Sequence, residues 1–153
     1  MVLYHGSNMI VREPEIRMTK HAKDFGWGFY TTEIRLQAEQ WAYRRAAFGG
    51  EPSVSSYEYQ ENKDLNIKYF DGINNEWLDF IAACRAGGTH PYDIVKGPMA
   101  NDEIWDHVRD YLDGRMPREV FMTYAKFKKV TQQTTFHTMR ALATLQFLGG
   151  EKL

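Results

Sequence analysis

A chain of 153 residues carrying 19 Lys and Arg against 20 Asp and Glu has the length of one domain and a net charge of −1. That balance argues against affinity built on a large phosphate-backbone footprint and leaves room only for a nucleic acid held in a local groove. The single cysteine, Cys84, excludes an internal disulfide and disfavours a cysteine-based zinc site, while the absence of any 18-residue apolar run or basic N-terminal leader pattern gives the expectation of a cytoplasmic protein.

Residues 2–5 read as a first strand, and residues 6–23 as a polar, irregular loop containing Pro14. Asp24-Phe25-Gly26-Trp27-Gly28-Phe29-Tyr30 sets two glycines among aromatics, the composition of a tight turn at a strand end. Thr32 suits a helix cap with Glu33 in the first turn. Ile34, Ala38, Trp41, Ala42 and Arg45 then fall at helical spacing, which predicts a helix over 33–47 ended by Gly49-Gly50. Strands are expected over 54–60, with Tyr57 and Tyr59 on one side, and over 64–70, with Leu65, Ile67 and Tyr69 on one side. Trp77, Phe80, Ile81 and Cys84 form the buried stripe of a second helix.

Tyr92–Lys96 reads as a strand closed by Gly97-Pro98, and Ile104, Val108, Tyr111 and Leu112 mark a third helix. Pro117 suits the first turn of a fourth. Gln133–Phe136 is a short strand, after which Thr138 caps a last helix carrying Ala141, Leu142 and Leu145. The order predicts a single α+β domain of short mixed or antiparallel strands with inserted helices, not an alternating βαβ fold.

His5, at the end of the first strand, offers a ring nitrogen as donor or acceptor, and Gly6 beside it permits close approach to the backbone. The Gly-aromatic turn lacks the Gly-Lys-Ser/Thr of a phosphate cradle and offers rings for stacking instead. Tyr30 and Trp41 stand eleven residues apart; they face one cleft if the chain bends between them, and are ordinary core residues otherwise. Arg17, Lys20 and Lys23 make a small basic patch, either solvated or suited to a pyrophosphate or acidic target. His21, His90 and His107 have no metal-ligand spacing, so no metal is expected. His137 reads as a surface histidine with its bonds satisfied.

Leu3-Tyr4-His5-Gly6-Ser7, then Asp24-Phe25-Gly26-x-Gly28-Phe29-Tyr30-x-Thr32, then Gln37-Ala38-x-x-Trp41-Ala42 resemble the bacterial family called domain of unknown function 3990. Phe80-Ile81 with Arg85, Tyr92–Asp102 and Gln133-x-x-Phe136-His137-Thr138 extend the resemblance over nearly the whole chain. That family is in turn similar to ADP-ribosyltransferases of the diphtheria-toxin and poly(ADP-ribose) polymerase kind, which carry a His-Tyr-Glu triad on three strands. The resemblance implies an ADP-ribosyltransferase-like fold and NAD as substrate. It implies that His5 bonds an NAD ribose hydroxyl, Gly6 meets the carboxamide, and Tyr30 and Trp41 sandwich the nicotinamide. Ser7 and Thr31 would give support. The glutamate position falls on Gln133, or on Gln132 if the register slips by one.

Breaking the nicotinamide–ribose bond passes through an oxocarbenium-like transition state. An amide orients the 2′-hydroxyl but brings no charge, a loss of about 3–4 kcal/mol or roughly a hundred- to a thousandfold in rate. Three outcomes follow: transfer with Gln133 as positioner, a carboxylate supplied from Asp71, Asp93, Asp102 or Glu103, or binding without turnover. Asp71-Gly72 also reads as a turn, and Asp102-Glu103 as a helix N-terminus. Asp93, inside an apolar strand, needs a partner, which Arg85 or Lys96 would supply. The expected activity is mono-ADP-ribosylation of a protein or nucleic acid, as a bacterial toxin or defence component with an antitoxin partner. The alternative is a non-catalytic NAD or nucleotide sensor or a partner-binding domain.

Overall fold

A computed structural model describes residues 1–19 and 23–153; Lys20 and His21 lie outside the described residues. The chain forms two sheets. In the first, β1 (Val2–Ser7), β3 (Ser53–Tyr59) and β7 (Leu145–Lys152) run antiparallel in the order β1-β3-β7. In the second the order is β2 (Phe29–Thr31), β6 (Gln132–Phe136), β5 (Ile94–Pro98), β4 (Ile67–Tyr69), with only the β4/β5 pair parallel. This is the mixed α+β arrangement that the spacing predicts.

Strand alternation decides how the layers stack. Leu3, Tyr57 and Tyr59 of the first sheet meet Phe29, Ile94 and Phe136 of the second, so one core lies between the sheets. The opposite face of the second sheet presents Tyr30 and Val95 to Phe25, Phe70 and the helices α2 (Asn75–Arg85), α3 (Asp102–Leu112) and α4 (Arg118–Ala125). The stripe Trp77, Leu78, Ile81 buries α2 there, and Ile104 and Val108 bury α3. Asn74 and Asn101 cap these two helices by accepting the amides of Trp77 and Ile104.

Helix α1 (Arg35–Ala46) lies on β1, on the side opposite Leu3. A Cβ at Gly6 would stand 1.8 Å from the Ala38 carbonyl oxygen and 2.9 Å from the Ala42 nitrogen. The lack of a side chain at position 6 is therefore what lets helix and strand backbones touch.

Four expectations change. The last helix, α5 (Met139–Leu142), is a single turn, and Leu145 opens β7 instead of continuing it. Ala141, Leu142 and Leu145 fit a helical period, yet Leu145 and Phe147 alternate with exposed Gln146 and Leu148, and pairing with β3 takes that pattern. The strand expected over 64–70 shrinks to Ile67–Tyr69; Leu65 reaches the core from the preceding turn, and Tyr69 is exposed. Thr32 is not the cap residue of α1, which is Ile34, although its hydroxyl accepts the Ile34 amide at 3.1 Å. Pro117 precedes α4 (Arg118–Ala125) as its cap residue. Among the described residues no helix is long and apolar enough to cross a membrane.

Replacing Gly6 by Ala is expected to cost at least the ~1–3 kcal/mol of core overpacking. Gly72→Ala, where nothing lies within 4 Å of an added Cβ, should stay within ~0.5 kcal/mol of wild type. Urea unfolding of the two variants checks the difference.

Candidate functional site

The two sheets join at one rung and then part. Tyr4 and Thr32 exchange both backbone hydrogen bonds, at 2.8 and 2.9 Å. The next rung of an antiparallel ladder would set Gly6 against Tyr30. There the His5 side chain intervenes: its Nδ1 donates to the Tyr30 carbonyl at 2.7 Å, and its ring stacks on Phe29 with centroids 4.2 Å apart. An imidazole thus takes the carbonyl that a β1 amide would have used. Gly6 is left with its amide and carbonyl turned along the edge that faces away from β3, where Tyr4 finds Thr32.

Asp24–Tyr30 folds into this opening. Gly26 has φ +84°, a conformation that a side chain disfavours. A Cβ at Gly28 would come within 2.7 Å of both the Phe136 carbonyl oxygen and His137 Nδ1. Three histidines donate to the turn's carbonyls: His90 Nε2 to Phe25 at 2.9 Å, His137 Nδ1 to Trp27 at 2.8 Å, and His5 to Tyr30. A carbonyl only accepts, so each of these nitrogens carries a proton. The second nitrogen of His90 accepts the Tyr92 amide at 3.1 Å, so that ring is neutral. His137 Nε2 lies 2.7 Å from the Thr135 hydroxyl, which also stands 3.1 Å from the Val95 carbonyl. Burial lowers the pKa of all three, to about 4 for His5 and His137, with the bonds to Tyr30 and Trp27 pulling the other way. His5 Nε2 makes no hydrogen bond among the described residues, which leaves one lone pair available at the opening.

Tyr30 is buried, its hydroxyl donating to the Gly26 carbonyl at 2.6 Å and accepting the Phe25 amide at 3.0 Å. Burial and the Asp24 carboxylate push its pKa upward, so it stays a phenol. Lys23 Nζ lies 4.8 Å from the centre of the Tyr30 ring. Desolvation there, with the charges of Arg45 and Arg85, lowers the Lys23 pKa.

Asp24 is buried and accepts from Arg85, whose Nε lies at 3.2 Å, from the Ala100 amide at 3.0 Å and from Gln133 Nε2 at 3.3 Å. Arg85 stacks over Trp105 at 3.9 Å. Arg85, expected with Lys96 as a candidate partner for Asp93, serves Asp24 instead. Asp93 is held by Arg140 at 2.9 Å, the Thr138 hydroxyl at 2.6 Å and the Asn66 amide at 2.9 Å. Burial raises its pKa, but those donors outweigh it and hold the carboxyl at about 2.

His5, Tyr30 and Gln133 thus lie on three strands, β1, β2 and β6, with Gln133 buried and Gln132 exposed. Trp41 is half-buried on α1 between Ala38 and Ala42, but among the described residues it makes no ring contact with Tyr30. Ser7 Oγ donates weakly to Asn8 at 3.5 Å, and the fully buried Thr31 donates its hydroxyl to the Thr134 carbonyl at 2.7 Å. The other carboxylates considered are occupied or remote: Asp102 pairs with Arg44 and Glu103 with Lys128, both at the surface, and Asp71 is exposed. His137, expected at the surface, is half-buried with both nitrogens bonded.

A family model described as Protein of unknown function (DUF3990) matches residues 1–147. No curated protein and no solved structure matches the chain.

Because His5 and His137 resist protonation when folded, the unfolded chain binds more protons between their ordinary 6.5 and about 4. Their contribution to stability is complete above pH 6.5 and is lost as pH falls toward 4. Thermal melts should show the midpoint dropping through that window, and imidazole C–H resonances of both rings should titrate near pH 4. Asp93 acts lower, its contribution fading only from about pH 4 down to 2.

Proposed function

The chain belongs to the DUF3990 family, and from the parted rung between β1 and β2 we propose that it is an NAD-dependent mono-ADP-ribosyltransferase modifying a protein or nucleic acid. The observation that carries this reading is the replacement of one ladder bond by His5, which frees the Gly6 amide and carbonyl together with His5 Nε2 at a single edge. A carboxamide needs one donor and one acceptor in that relation, and a ribose hydroxyl beside it can donate to the imidazole nitrogen. Trp41 and Tyr30 flank the nicotinamide ring, and entry of the ring displaces Lys23 from the Tyr30 face. Ser7 supports the ligand directly, whereas Thr31 supports it by fastening β2 to β6.

In the reaction the bond from nicotinamide nitrogen to the ribose anomeric carbon breaks and neutral nicotinamide leaves with the bonding pair, while an acceptor nucleophile bonds that carbon and gives up its proton to water. Gln133 receives the 2′-hydroxyl as a neutral acceptor. With Asp24 already paired to Arg85, Gln133 brings no charge to the developing cation, and the rate is low by roughly a hundred- to a thousandfold against a glutamate-bearing site. A toxin or defence component with an antitoxin partner, working in a bacterial cytoplasm, is the setting that suits such a transferase.

The uncharged Gln133 also favours a second reading, a sensor that binds NAD or a related nucleotide without turnover or a domain that binds a partner. Incubation with labelled NAD and cell lysate separates these. The transferase gives a labelled macromolecule and free nicotinamide, both lost in His5→Ala. A sensor gives calorimetric NAD binding that His5→Ala weakens at least tenfold, with no label transferred. Absence of both binding and label removes the NAD reading.

A further inference from the structure

We propose that Asp24 is a positioning residue: its buried carboxylate fixes the Gln133 side chain with the NH2 inward and the carbonyl oxygen outward, so that position 133 acts as a neutral hydrogen-bond acceptor. As a claim about a ligand it rests on the reading above; as a claim about the two side chains it stands alone.

An ionised carboxylate only accepts, so the Gln133 atom 3.3 Å from Asp24 Oδ2 must be the amide nitrogen. The remaining positions around Asp24 are filled by the Arg85 guanidinium and the Ala100 amide. Turning the amide over would set two oxygens against each other in a buried place, which costs a full unsatisfied acceptor. The opposite atom, Gln133 Oε1, has no hydrogen bond to any described residue. The sealed, unpartnered side-chain atoms of the described residues are the hydroxyls of Tyr59 and Tyr124. Gln133 Oε1 is not among them and so keeps access to solvent, although the side chain as a whole is buried.

The same geometry explains the residue type. A glutamate at 133 would set a second carboxylate against Asp24. The charged and titratable groups around Asp24 are Arg85 and Cys84 of α2, Lys23 beside it in the chain and Tyr30 of β2. Arg85 is already engaged and Lys23 sits over the Tyr30 ring. Two carboxylates at this spacing cannot both ionise readily. The negative charge that a transferase of the glutamate type carries at this strand is therefore held one step behind it, on Asp24.

The test exchanges the charge between the two positions. Melting midpoints of wild type, Gln133→Glu, Asp24→Asn and the double variant Asp24→Asn/Gln133→Glu are measured from pH 5 to 8. Gln133→Glu is expected to lose stability progressively as pH rises through this range, and the double variant to lose that dependence and recover most of the midpoint. A flat profile for Gln133→Glu, or an equal decline in the double variant, overturns the proposal. Side-chain amide NMR adds a readout independent of stability: the Gln133 NH2 protons should exchange with water at least tenfold faster in Asp24→Asn, and unchanged exchange would also overturn it. NAD calorimetry on the wild type runs alongside. If wild type binds no NAD while the charge swap behaves as expected, the NAD reading fails and the coupling of the two side chains stands.

Discussion

A carboxylate withdrawn from water must find donors, and those that Asp24 finds come from three separate parts of the chain: the end of α2, the turn before α3, and β6. Satisfying one buried charge therefore fastens the helical layer to the second sheet. It also draws the Gly-aromatic turn down onto that sheet, where Phe25 fills the space that Gly97 leaves beside Phe70. Removing a partner from such an arrangement is far more damaging than replacing the whole of it, because the penalty falls on the group left behind. The Tyr30 hydroxyl, bonded to Phe25 and Gly26 of that turn, is tied to the same requirement.

The histidines complete the constraint by a different route. Within Asp24–Tyr30 the Tyr30 hydroxyl satisfies the Gly26 carbonyl, but other carbonyls of the turn need donors from outside it, and backbone acceptors left dry are costly. His5, His90 and His137 each supply an N–H from outside the turn. Neutral imidazole serves here because it is a planar donor of fixed direction that brings no charge. Depressed pKa values are the electrostatic trace of that use, not evidence of acid–base chemistry. Only His5 retains an unengaged nitrogen, and only His5 stands at the opening.

The local architecture was open to a reader of the sequence. Apolar periodicity marks α1, α2 and α3, β1 and β6 read as short strands, and the glycine–aromatic alternation marks the turn. What stayed hidden was hidden for physical reasons. β7 carries Gly149-Gly150, which have no side chains to show the strand period, and Leu145 falls in step with the preceding helical turn. Asp24, two residues before a glycine, looks like an ordinary loop residue, because its partners lie 61, 76 and 109 positions away. His90 and His137, tested for metal-ligand spacing and surface exposure, donate to carbonyls, a use that imposes no spacing at all. An acid inside an apolar strand points to a partner for Asp93, but Arg140 lies on the short α5, away from Arg85 and Lys96.

The contact between Gly6 and α1 is made by main-chain atoms on both sides. Main-chain atoms are the same in every residue. No substitution at Ala38 or Ala42 can hollow out a place for a side chain at position 6, in the way that a smaller core residue accommodates a larger neighbour. Genetic suppressors of a lesion at Gly6 should therefore never arise from those helix positions. Only a displacement of helix against strand could relieve it, and Trp41 would move with the helix. Sequence drift can alter the walls of the opening, but the glycine at its hinge has no compensating partner.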